Sequence, residues 1–233
     1  MTVGAPLPRR ARMTGAERRE QLLDVGRTLF AERGVDGASV EEVAARAGVS
    51  KPVVYEHFGG KEGLYRTVVE RETAVLLGTM TDALDVSGLH PRAVLERAAL
   101  SLLDYVEENA EGFRILVRDA PVASTGGTFA TLISDIARQV EHLMVREMAK
   151  QGLPADAAPM YAQMLVGMVA LTGQWWLDTR EPPKAVVAAH LVNLSWNGLS
   201  HLEATPREVT GEVPLVRPAG GVRPQRSRSA TTP

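Results

Sequence analysis

At 233 residues, 45% of them hydrophobic, the chain can bury a sizeable core in one large domain or two small ones. It contains no cysteine, which excludes disulfides and thiolate metal sites and points to a reducing compartment. The formal net charge of −2 excludes a uniformly basic, chromatin-like coat, so any contact with nucleic acid must rest on locally clustered cations.

Residues 1–13 read as a flexible basic arm whose Arg9, Arg10 and Arg12 can touch phosphates or a minor groove. No apolar run follows these arginines, unlike a secretory signal. A first helix is predicted over 14–33, with Leu22, Val25, Leu29 and Phe30 as its inner stripe and Gly34 as its stop. Residues 39–61 then read SVEEVAARAGVSKPVVYEHFGGK, two short helices joined by a tight turn and followed by the start of another. Ser39 with Glu42 three residues on is the pattern of a capping box. Gly48 can take the left-handed backbone that ends a helix. Ser50 stands as the cap of the second helix, and Pro52 falls in its first turn, where a missing N–H costs nothing.

Val40, Val43, Ala44 and Ala47 supply one apolar face of this hairpin, and Val49, Val54 and Phe58 the facing one. Lys51, Pro52, Val53, Tyr55 and His57 are left outside, a set odd for a solvated helix and suited to docking. The pattern is that of a helix-turn-helix, whose second helix lies in the major groove of DNA. Lys51 is placed to reach a guanine edge or a phosphate, Pro52 and Val53 to touch thymine methyls, and Tyr55, His57 and Lys61 to meet phosphates.

A fourth helix starts near Lys61 and carries Leu64, Val68, Val75, Leu76 and Met80 towards a second domain. Residues 87–91 break the chain. Further helices are predicted over 91–108, 111–118, 128–150, 156–178 and 184–202, with a loop at 121–127. The stretch 157–177 has no charged residue and is long enough to span a bilayer (about 20 residues), yet Pro159, Gln163, Thr172 and Gln174 interrupt it. A helix buried on nearly all sides is the better reading, and no membrane contact is expected. No segment alternates like a strand. From Thr205 onwards Pro, Gly, Ser and Arg dominate, a composition that cannot bury a core. Acidic residues prevail between 79 and 203 and basic ones after 204, so cations are kept away from the middle of the chain.

The two long helices nearest the tail are too apolar for a monomer surface. Val186, Val187, Leu191, Leu194, Trp196 and Leu199 cover much of the last one, and pairing with a second copy is expected. His57, His90, His142, His190 and His201 are scattered, with no pair at metal-binding spacing, so no metal site is expected. The chain has no Gly-x-Ser-x-Gly, His-Glu-x-x-His, Walker lysine or dinucleotide glycine set. Neither catalytic residues nor a cofactor is therefore expected.

Read as a string, VEEVAARAGVSKPVVYEHFGGKEGLY resembles the signature of the TetR family of bacterial transcriptional regulators. The resemblance rests on the core from Val43 to Ser50, the Tyr55-Glu56-His57-Phe58 ending, the Lys61-Glu62-Gly63-Leu64 that follows, and the upstream Leu29-Phe30-Ala31-Glu32-Arg33-Gly34. It covers roughly residues 14–70. It implies an all-α fold: a three-helix helix-turn-helix DNA-binding domain at 14–60, a helical effector-binding and dimerisation domain at 61–204, and a disordered tail at 205–233. It also implies a homodimer on a double-stranded DNA operator, in the cytoplasm, most often as a repressor. Ser39, Ser50, Lys51, Tyr55, His57 and Lys61 stand where family members commonly touch DNA, with Lys51, Pro52 and Val53 facing bases.

Under the same resemblance, a small hydrophobic effector would occupy the second domain, with Tyr105, Phe113, Phe129, Met144, Met164, Met168 and Trp175 as its candidate contacts. Asp104, Arg114, Arg118 or Gln174 would supply polar ends. QWWLDTREPP and WNGLSHLE resemble family members tied to fatty-acid metabolism, which implies an acyl chain or acyl-CoA. The rival reading is a ligand-insensitive architectural DNA-binding protein.

Overall fold

The first helix, α1, spans Gly15–Gly37 and begins with a complete capping box. The Glu17 amide donates to Thr14 Oγ1 at 3.2 Å, and the Thr14 amide donates to Glu17 Oε2 at 2.7 Å. Its helical path is broken at Gly34, whose φ of 74° is left-handed. The computed structural model describes residues 13–85, 88–118 and 128–206. The basic arm, the 121–127 loop and nearly all of the tail lie outside the described residues.

Two short helices follow, α2 (Val40–Ala47) and α3 (Lys51–Phe58). Gly48 turns the chain between them at φ 65°, and the Val49 amide closes on Ala44 O at 2.9 Å. Only half of the box expected at Ser39 forms. The Glu42 amide donates to Ser39 Oγ at 3.2 Å, but the Glu42 carboxylate is taken by Arg33 and by the Ser39 hydroxyl. Ser50 occupies the cap position of α3 without a side-chain cap hydrogen bond. Leu22, Leu29, Phe30, Val43, Val54 and Leu64 are buried together, each contributing about 1.5–3 kcal/mol of transfer free energy when fully withdrawn from water. Gln21 Nε2 donates to Ala47 O at 3.1 Å and ties the end of α2 to α1.

The longer helices are α4 (Lys61–Leu84), α5 (Pro91–Glu108), α6 (Ala110–Arg118), α7 (Thr128–Lys150), α8 (Ala158–Thr179) and α9 (Lys184–Leu199). A single 3-10 turn, Ala155–Ala157, precedes α8. Among the described residues there is no strand. α7 lies along α8, α5 packs on α4 and α9, and α6 fills the angle between α1 and α4. α4 is shared by head and body. Leu64 and Val68 join the core of the first three helices, while Leu76, Met80 and Leu84 join the core of the others. The described residues up to Leu202 pack as one unit.

Candidate nucleic-acid interface and effector cavity

α3 stands on Val54, which is fully buried. Around it Lys51, Pro52 and Tyr55 are exposed and His57 is half-buried. Val53, expected to face outwards, is half-buried against the core, because so short a helix laid on α2 sinks an arc wider than Val54 and Phe58 alone. Ser50 is exposed, while Ser39 is engaged with Glu42.

The cations of the head differ in their partners. Lys51 is ion-paired to Glu41, on the first turn of α2. That hydrogen bond holds the Glu41 carboxyl below the usual carboxylate range. Arg46 pairs with Glu32 at 2.7 Å, and Arg33 pairs with Glu42. Arg19 lies 4.9 Å over the Phe58 ring. Lys61 has no ion-pair partner among the described residues.

A cavity of about 640 Å³ runs through the body between α4, α5, α6, α7, α8 and α9. This is within the ~300–1,000 Å³ range of small-molecule sites. Its apolar lining includes Leu76, Leu102, Phe113, Phe129, Ile136 and Val166. Its polar lining groups, Asp85, Arg146, Glu147, Lys150, Gln151 and Ser200, cluster where α4, α7 and α9 end, and there the rim charges balance.

Of the seven candidate ligand contacts, Phe113, Phe129 and Met144 line this cavity. The other four lie outside its lining. Tyr105 is core. Its ring stands edge-on to Phe113 with centroids 6.3 Å apart, and its hydroxyl donates to the Glu72 carbonyl at 3.5 Å. Burial, and then the Glu72 charge, push this phenol well above its ordinary pKa. Met168 is half-buried against the core. Met164, 57% exposed, and Trp175, 49% exposed, sit with Met160 and Leu171 on a stripe of α8 that faces away from the core. Three of the four candidate polar ends are engaged elsewhere, and Gln174 is exposed and outside the cavity lining. Asp104 pairs with Lys184 at 2.7 Å, Arg114 with Asp178 at 3.5 Å, and Arg118 donates to Phe30 O at 3.2 Å, closing a free carbonyl near the break in α1.

Cavity walls that sequence reasoning missed include Val94 and Leu95 on α5 and Trp196 on α9. Their helical spacing marked them as apolar, but not which side faced a void. A second missed feature is Glu72 on α4, 3% exposed, where head meets body. Arg71 Nε lies 3.4 Å and Arg27 Nη1 4.0 Å from its carboxylate, and Arg27 also meets Glu111 of α6 at 3.3 Å. α6 comes so close here that a Cβ on Gly112 would fall 2.0 Å from Glu72 Oε2.

Among the described residues no helix is long and apolar enough to cross a membrane. The sequence profile "Bacterial regulatory proteins, tetR family" matches residues 22–68, and "Tetracyclin repressor-like, C-terminal domain" matches residues 91–198. The chain is 32% identical over 200 residues to the HTH-type transcriptional activator FasR of Mycolicibacterium smegmatis, covering 83% of this chain and 88% of that protein. It is 38% identical over 79 residues to the HTH-type transcriptional repressor KstR2 of Rhodococcus jostii, covering 34% and 38% of the two chains. A TetR-like transcriptional regulator from Rhodococcus sp. RHA1 superposes with a TM-score of 0.66 at 26% identity, covering 81% of this chain and 99% of that one. With an exposed α3, a lined cavity and both profiles matched in order, the chain belongs to the TetR family of bacterial transcriptional regulators.

Proposed function

We propose that the protein is a ligand-responsive regulator that works in the cytoplasm. It binds a palindromic operator as a homodimer and is released by a small apolar effector held in the body cavity. The observation that carries this reading is the course of α4, whose first half is core to the DNA-reading head and whose second half is cavity wall. A ligand that favours a different setting of α4 changes how α3 is presented, by as much as its affinity differs between the two settings. The outward apolar stripe of α8, with Val186 and Leu194 exposed on α9, is the face for a second copy. A twofold pair of α3 helices then meets half-sites about 34 Å apart. On this reading Ser39, Ser50, Tyr55, His57 and Lys61 meet the backbone, and Lys51 and Pro52 lie nearest the bases, with half-buried Val53 offering at most its outer edge.

The mostly apolar cavity, with balanced charges among its polar lining groups, suits an acyl chain better than a polar metabolite, whether as a fatty acid or as acyl-CoA. Where the operator overlaps a promoter, binding is repression, the sign taken here. FasR of Mycolicibacterium smegmatis is named an activator, so promoter mapping decides between the two signs.

Selection of bound duplexes from a random pool, followed by titration with long-chain fatty acids and acyl-CoAs, tests the proposal. A palindrome released by at least one long-chain ligand is the expected result. Binding that no ligand changes would instead favour the architectural reading.

A further inference from the structure

The two lysines on the reading side of the head are held differently. Lys61 is free of ion pairs among the described residues. Lys51, the first residue of α3, is tied to Glu41 across the turn. Both members of the pair are more than half exposed, 52% for Lys51 and 58% for Glu41, so the pair adds little to folding stability. A carboxylate here is costly to a protein that must approach a polyanion. Two consequences follow from its position.

On generic DNA, Lys51 meets a phosphate either by leaving Glu41 unpaired or by carrying the Glu41 carboxylate up beside that phosphate, and both set an anion against the backbone. The pair therefore withholds one cation from sequence-independent binding, which rests on phosphate neutralisation. In the major groove the pair can stay together. A G·C pair offers guanine N7 and O6 as adjacent acceptors and the cytosine N4 amino group as a donor next to them. The Lys51 ammonium can donate to the guanine acceptors while the Glu41 carboxylate accepts from cytosine. An A·T pair interleaves acceptor, donor and acceptor, and does not match a cation beside an anion in the same way.

We infer that Glu41 is a specificity-determining residue that acts with Lys51 as one unit, selecting a G·C pair in each half-site and penalising generic DNA. This rests on the regulator reading above and goes beyond it by assigning a base pair and a residue outside the recognition helix.

The test uses the full-length protein, the selected operator, the same operator with the assigned G·C pair changed to A·T, and a random duplex of equal length. The wild type is expected to discriminate against the A·T operator by about tenfold or more. In Glu41→Ala the affinity for random duplex rises, its salt slope steepens by about one, and discrimination falls by about threefold or more, the remainder being the preference of Lys51 for the guanine acceptors. With Lys51→Ala already present, adding Glu41→Ala leaves the operator-to-random ratio within about twofold. Lys61→Ala is the contrasting variant: it weakens every duplex alike and leaves discrimination intact.

An operator with no G·C pair beneath the start of α3 overturns the inference. So does an unmoved ratio in Glu41→Ala, or an equal fall when Lys51 is absent, and in all three cases the regulator reading still stands. If the wild type selects no preferred sequence at all, the regulator reading falls, and this inference with it.

Discussion

At the scale of single residues one tight constraint is the contact between Gly112 and Glu72. Helix propensity alone makes Gly→Ala stabilising by about 1 kcal/mol inside a helix. Here the added methyl would sit 2.0 Å from Glu72 Oε2, on a buried carboxylate whose other oxygen lies 3.4 Å from Arg71 Nε. The contact wins over propensity, and Gly112→Ala is expected to destabilise the protein by about 1–3 kcal/mol, the usual cost of overpacking. Placed on Glu72→Ala, the same change loses most of that cost, because the obstructing side chain is gone. A coupling of about 1 kcal/mol or more in a double-mutant cycle by urea unfolding checks this. Additive effects would mean that α6 simply slides away.

At the scale of elements, sequence and structure agree where a local rule decides and part where packing decides. The α2–turn–α3 hairpin was legible because Gly48, Pro52 and the short apolar repeats act on their own backbone neighbours. The box at Ser39 failed for a non-local reason: Arg33, on another helix, competes for the Glu42 carboxylate. The box that did form, at Thr14, has a similar sequence pattern and no such competitor. α8 was read as buried nearly all round and as ligand wall. It is apolar on two sides that composition cannot separate, Ala162, Val166 and Trp176 inwards, Met160, Met164, Leu171 and Trp175 outwards. The cavity was illegible for the same reason, since it is a space that six helices leave unfilled together.

The outward stripe carries its own prediction. Leu171, 67% exposed, loses little in the isolated chain when replaced by lysine. In a twofold dimer built on this face two lysines would be brought together in an apolar contact. Leu171→Lys is therefore expected to keep its helical circular dichroism and become monomeric in sedimentation. A variant that stays dimeric places the second copy elsewhere.

For the whole molecule the question is whether the cavity and the reading head are thermodynamically linked. A ligand that binds only the folded state stabilises it by RT ln(1 + [L]/Kd), about 2.7 kcal/mol at a hundred times Kd. For a chain of this size each kcal/mol raises Tm by about 2–4 °C, so a long-chain fatty acid at that excess should raise it by about 5–10 °C. Val140 lies near the middle of α7, among the cavity lining, on a helix other than those that pack on α3. Val140→Trp fills the space a chain would occupy and touches nothing that meets DNA. It should abolish the ligand-induced rise in Tm while leaving operator affinity within about twofold of wild type. Operator release by the same fatty acid should vanish with it, because linkage requires that a ligand excluded from the cavity have no effect on the head. If Val140→Trp still releases the operator on adding ligand, the effector acts from another site and α4 is not the link. If the Tm rise is lost but release persists, two ligands are acting and the cavity is not the regulatory one.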